Sequence, residues 1–129
     1  MPATATAVET FALWVPPTGS FRLLHWHTVT TPQRALCCDT ALPVNLTSEL
    51  TMWTDEGAIP LRRPRNAHAS ELLLAYQPHP GLFFGDVVFT GATDASGDMV
   101  HGLTEDQALA LVDLYLLRHA AHVPGPQRR

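Results

Sequence analysis

Arg62, Arg63 and Arg65 stand just ahead of Asn66, a residue type that opens helices. Free N–H groups at a helix start, with guanidinium groups beside them, make an anion site. These four residues are therefore the candidate docking point for a phosphate or a nucleotide-like ligand. The competing reading pairs the same arginines with Asp55, Glu56 or Asp86 on the surface. Trp53 and Trp26 are the aromatic candidates for stacking on a ring or base. The alternative for them, as for Trp14, is packing in a core or an interface.

His25 and His27 flank Trp26, and imidazoles two residues apart on a strand can converge on one metal ion. His68, Asp86, His101 or His119 would have to supply a third ligand, and a metal-dependent hydrolase or lyase would follow. The competing reading packs one ring in the core and the other at its edge. His119 and His122, three residues apart near the end of a helix, suit the negative pole of its dipole. Cys37 and Cys38 could offer a nucleophile, but adjacent cysteines close only a strained ring and read better as reduced, buried small hydrophobes. Asp55 with Glu56, or Asp94 with Asp98, could do acid–base work or hold a cation, although Asp94 to Asp98 lacks the full calcium-loop pattern and both pairs suit simple turns. No nucleophile–base–orienter set, complete metal motif or phosphate loop can be assembled, so no catalytic residue and no cofactor is expected.

The elements that would position these residues read as follows. Thr10 to Val15 and Phe21 to Val29 are aromatic, aliphatic and β-branched, and Pro16 to Ser20 between them is turn chemistry, which predicts a β-hairpin. Period two puts Phe21, Leu23, His25 and His27 on one face of its second arm and Arg22, Leu24, Trp26 and Thr28 on the other. Thr31-Pro32 opens a short helix of about two turns. Leu42 to Leu46 and Leu50 to Thr54 are strands, the second turning at Asp55-Glu56-Gly57. Asn66 caps a helix to about Tyr76, ended by Pro78 and Pro80-Gly81. Leu82 to Thr90, apolar on both faces apart from Asp86, is a central strand. Ala92 to Gly102 is a surface loop. Thr104 to Gln107 form a capping box with acids in the first turn, opening a helix with a core stripe of Ala108, Leu111, Val112, Tyr115 and Leu116. Leu109, Leu114 and Leu117 carry apolar surface further round it, as in a helix buried on several sides or used for self-association.

The expected fold is therefore α+β: a small mixed or antiparallel sheet with an N-terminal β-hairpin, two short helices, and one long C-terminal helix packed on it. A single domain over residues 9–123 is expected, with residues 1–8 and 124–129 fraying. The chain has 129 residues, with no lysine, one isoleucine (Ile59) and two asparagines (Asn45 and Asn66). That skew follows high-GC codon usage, as in an actinobacterium or one of its phages. Eight basic residues, all arginine, scattered among twelve acids give no basic face, which argues against sequence-independent DNA binding. No signal-peptide pattern or bilayer-length apolar run is evident, so a cytoplasmic protein is expected. The sequon Asn45-Leu46-Thr47 reads as chance in such a chain.

Pro32 to Leu36 as a helix, Leu50 to Gly57 as a strand closing on an acidic-acidic-Gly turn, Arg65 to Ala69 as an Asn-led helix, and Leu82 to Gly91 as a Gly-containing strand form an ordered set. In that order they resemble the family known as domain of unknown function 3846, over roughly Pro32 to Leu117. The resemblance implies a protein of bacteria, phages or mobile elements and supplies no catalytic residues. The expected role is an accessory protein of an actinobacterial phage or mobile element, acting in the host cytoplasm by non-enzymatic binding. Its target would be a host protein or a small anionic ligand, to counter host defence. The two rivals are the metal-dependent enzyme on His25 and His27, and an assembly protein that self-associates through the helix Thr104 to Ala120.

Overall fold

A computed structural model describes residues 9–27, 30–94 and 99–122, with side chains as far as Arg118. The expected terminal segments, the second half of the Asp94–Asp98 pair, Thr28 and the side chains of His119 and His122 lie outside those described residues.

Five strands form one antiparallel sheet in the order β2-β1-β5-β4-β3. β1 (Phe11–Val15) and β2 (Arg22–His25) make the N-terminal hairpin, and β3 (Ala41–Thr47) and β4 (Leu50–Asp55) make a second one. β5 (Val87–Thr90) lies between the hairpins and pairs with β1 and β4. All four of its residues are buried, as a central strand requires. Pro43 sits in β3, an edge strand, where its missing N–H costs the sheet nothing.

Two cores of unequal size lie on opposite faces. On one face α2 (Ala67–Leu73) and α3 (Glu105–His122) cover Leu13, Val15, Met52, Val87 and Phe89. On the other, α1 (Pro32–Leu36) packs over Ala12, Trp53 and Val88, with Trp26 and Ala41 beside it. The alternation of Val87, Val88 and Phe89 between the two clusters is the period-two pattern of a strand with both faces covered.

Local chemistry sets the helix ends. Thr31 Oγ1 accepts from the Arg34 N–H at 3.2 Å, and Pro32 occupies the first helical position. α1 is shorter than the expected two turns because Cys37 adopts a left-handed conformation (φ 53°). There its N–H and that of Cys38 satisfy the Arg34 and Gln33 carbonyls. Thr104 and Gln107 close the capping box reciprocally: the Gln107 N–H donates to Thr104 Oγ1 at 3.1 Å and the Thr104 N–H to Gln107 Oε1 at 2.9 Å.

The second arm of the hairpin ends at His25 and not at Val29, so His27 is not in the strand, and three further expectations need correction. The strand expected from Leu82 begins only at Val87, because Gly85 turns at φ 79° and its backbone bonds sideways, its N–H donating to the Pro64 carbonyl. The helix after Asn66 ends at Leu73 and not near Tyr76, although turns continue to Tyr76. Leu116, placed in the core stripe of α3, is 46% exposed, whereas Ala108, Leu111 and Tyr115 are buried.

Candidate functional site

The arginine segment leaves the end of β4 through a loop. Gly57 N–H donates to Asp55 Oδ1 at 2.7 Å, and turns continue to Arg62, which sits in the left-handed region at φ 59°. Arg62, Arg63 and Arg65 are exposed, and none forms an ion pair with a described acid, so the expected pairing with Asp55, Glu56 or Asp86 is not made.

Asn66 is a different case. It caps α2 as expected, but its side chain is fully buried and fully engaged. Oδ1 accepts from the Ala69 N–H at 3.0 Å, while Nδ2 donates to the carbonyls of Val15 and Gly85, each at 2.9 Å. One side chain thus ties α2 to β1 and to the bend before β5. It holds the fold together and offers no polar atom to a ligand.

The tryptophans are corrected in the same way. Trp53 is 8% exposed and donates Nε1–H to Thr90 Oγ1 at 2.9 Å; Trp26 is 3% exposed and donates to the Val100 carbonyl at 2.8 Å. Both belong to the smaller core, with their polar edges satisfied, as buried indoles normally are. Neither can stack on a ligand held by the arginines.

His25 and His27 are brought together, but not to converge. Their rings lie nearly parallel, 13° apart with centroids 6.3 Å apart, and His25 Nδ1 is 3.7 Å from Glu9 Oε2. Imidazole lone pairs lie in the ring plane, so stacked rings do not aim two of them at one ion. Among the described residues no group of three or more His, Cys, Asp or Glu is placed to hold a metal.

Two polar clefts open where α1, the end of β4 and the bend before β5 meet. One, of about 380 Å³, is lined by Cys37, Cys38, Asp39, Asp55 and Glu56 among others. Its neighbour, of about 230 Å³, shares Cys37 and Asp55 with it and adds Arg63, Gly85 and Asp86. Cys37 is exposed and Cys38 half-buried, both as free thiols, so the expectation of buried cysteines is not met. The Cys38 thiol is pushed above its ordinary value, first by burial and then by the Asp55 and Asp39 carboxylates. That environment disfavours a thiolate, the opposite of what an activated nucleophile needs.

The third cleft was not apparent from the motifs. Of about 430 Å³, it runs between α3 and the β3–β4 turn and is lined by Leu50, Tyr76, Leu103, Ala110, Leu111 and Leu114, with Thr47, Glu49 and Gln107 at its polar end. Gln107 Nε2 donates to Glu49 Oε1 at 2.9 Å there. On α3 the exposed Leu117, 67% accessible, lies one heptad from Ala110 of the cleft wall, and Leu109 and Leu116 are exposed on the far side of Asp106 and Asp113. Its one sequence signal was the excess of leucine around α3, beyond what a single core stripe uses.

No family model matches this chain, and comparison with curated proteins and with solved structures likewise returns no match. Among the described residues, no helix is long and apolar enough to cross a membrane.

Proposed function

We propose that this protein acts by binding rather than by turnover, and that its target is another protein seated on the outer flank of α3 and the apolar cleft beside it. The observation that carries this reading is the joint exposure of Leu109, Leu116 and Leu117 on the helix that also supplies Ala110 and Leu114 to the cleft wall. At about 100° per residue, Ala110, Leu114 and Leu117 form an apolar edge that borders the cleft, while Leu109 and Leu116 form a second apolar edge across the exposed Asp106 and Asp113. Burying a leucine is worth about 2 kcal/mol. Exposed leucines beside an apolar cleft are the kind of surface that interaction sites use.

The lysine-free composition and the ordered set of elements support an accessory protein of an actinobacterial phage or mobile element, related to domain of unknown function 3846 and directed at a host component. The test is affinity capture from an actinobacterial lysate by the wild-type chain and by a Leu109→Glu/Leu116→Glu variant. A single protein retained in stoichiometric amount by the first and lost by the second is expected. Equal capture by both, or no stoichiometric protein with either, removes the reading.

A second reading keeps the small anionic ligand, now held by Arg62, Arg63 and Arg65 alone. Their exposure without ion pairs favours it. Calorimetry with a panel of nucleotides should then show heat that Arg65→Ala diminishes; a silent panel ends this version.

A further inference from the structure

Resting on the protein-binding reading, we infer that the partner presents an amphipathic helix whose polar positions are basic. The exposed arc of α3 has a seven-residue period: Asp106 and Asp113, Leu109 and Leu116, and Ala110 and Leu117 are each one heptad apart, and all six are exposed. With the leucines at d, the aspartates fall at a, which is the seam of a coiled coil with apolar d positions and acidic a positions. Glu105 adds a further acid to the first turn, and Glu49 stands at the polar end of the cleft. Arg118 is half-buried on the other side of the helix, so among the described residues every charge on the exposed arc is negative.

That charge pattern selects among occupants. A second copy of α3 paired in parallel would set aspartate against aspartate, and in antiparallel pairing would set aspartate against leucine. Either arrangement buries a carboxylate without a partner. An anionic lipid surface would be repelled by the same acids. A helix with arginine or lysine opposite Asp106 and Asp113, and apolar residues opposite Leu109, Leu116 and Leu117, satisfies both the charges and the leucines on either side of them.

The experiment uses the full chain and two synthetic helical peptides with leucine at every d position, one with arginine and the other with glutamate at every a position. Binding is followed by fluorescence anisotropy. The arginine peptide is expected to bind the wild-type chain roughly tenfold or more tightly than its glutamate twin, which is the scale of one well-placed charge pair. An Asp106→Arg/Asp113→Arg variant, with its fold checked by circular dichroism, is expected to reverse the preference. Equal binding of the two peptides, failure of both, or an unchanged preference in the variant overturns the basic-partner inference. If stoichiometric lysate capture still depends on Leu109 and Leu116, the binding reading itself survives that result. Sedimentation that finds a wild-type dimer abolished by Leu109→Glu/Leu116→Glu assigns the seam to a second copy and also overturns the inference.

Discussion

Asn66 shows at the level of one residue how a correct local reading can misplace a function. Its type announced a helix cap, and the cap is there, but a cap uses only one of the amide's polar atoms. The other end reaches Val15 and Gly85, 51 and 19 residues away in the chain, and no local pattern could announce those partners. Asn66→Ala removes the cap, about 1 kcal/mol, and takes a buried donor from the Val15 and Gly85 carbonyls, so a loss of about 2–4 kcal/mol is expected in chemical denaturation. Asn66→Asp keeps the cap acceptor but sets a buried carboxylate against two carbonyl oxygens. It should be at least as destabilising at neutral pH and recover part of the loss as the pH falls and the carboxyl protonates. An Asn66→Asp variant as stable as wild type would contradict this assignment. The cysteines give a second residue-scale expectation. Cys37 is exposed, whereas Cys38 is half-buried with its thiol pushed up by burial and by Asp55 and Asp39. Iodoacetamide at neutral pH should therefore modify Cys37 first, read by peptide fragmentation; faster labelling at Cys38 would count against the described environment.

At the scale of elements, the legible parts were those whose ends carry their own chemistry. Thr31-Pro32, Asn66 and Thr104-Gln107 each announced a helix start through a side chain that bonds its own first turn, and all three starts are where expected. Ends set from elsewhere were not legible. β5 begins only at Val87 because the backbone at Gly85 and Phe84 bonds to Pro64 and Arg65, a tertiary contact that an apolar run from Leu82 cannot reveal. α3 likewise shows which residues are apolar but not which are covered, since coverage depends on where α2 and the hairpins end. One tie between elements has a pH signature. Tyr115 of α3 donates its hydroxyl to the Gly19 carbonyl of the β1–β2 turn at 2.9 Å, and burial raises both Tyr115 and Tyr76 above the usual phenol value of 10.0. A raised folded-state value means that the stability from keeping these phenols protonated is complete below pH 10. It declines as the pH rises from there through the folded-state values. Thermal melts should fall steeply in that alkaline range. Tyr115→Phe should start lower at neutral pH, by about 1 kcal/mol for the lost hydrogen bond, yet lose less on alkalisation. Parallel pH profiles for the two proteins would refute the assignment.

The whole molecule is a sheet with two cores that share β5, and that sharing decides how it should unfold. Val87 and Phe89 point into the cluster under α2 and α3, while Val88 between them points into the cluster under α1. Neither core can open at β5 without disturbing the other, since a strand cannot lose one face and keep its ladder to β1 and β4. The three tryptophans make this testable without mutation. Trp26 and Trp53 lie in the smaller core and Trp14 packs against it under the Arg22 guanidinium, 5.5 Å from the ring centre, so all indole fluorescence comes from the α1 face. Most of the helix, by contrast, lies on the other face in α2 and α3, which dominate far-ultraviolet circular dichroism. A cooperative unit predicts that the two signals follow one urea transition with the same midpoint and slope. If indole fluorescence changed at clearly lower urea while the helical signal persisted, the α1 face would be a separately opening layer, and the coupling assigned here to β5 would be wrong.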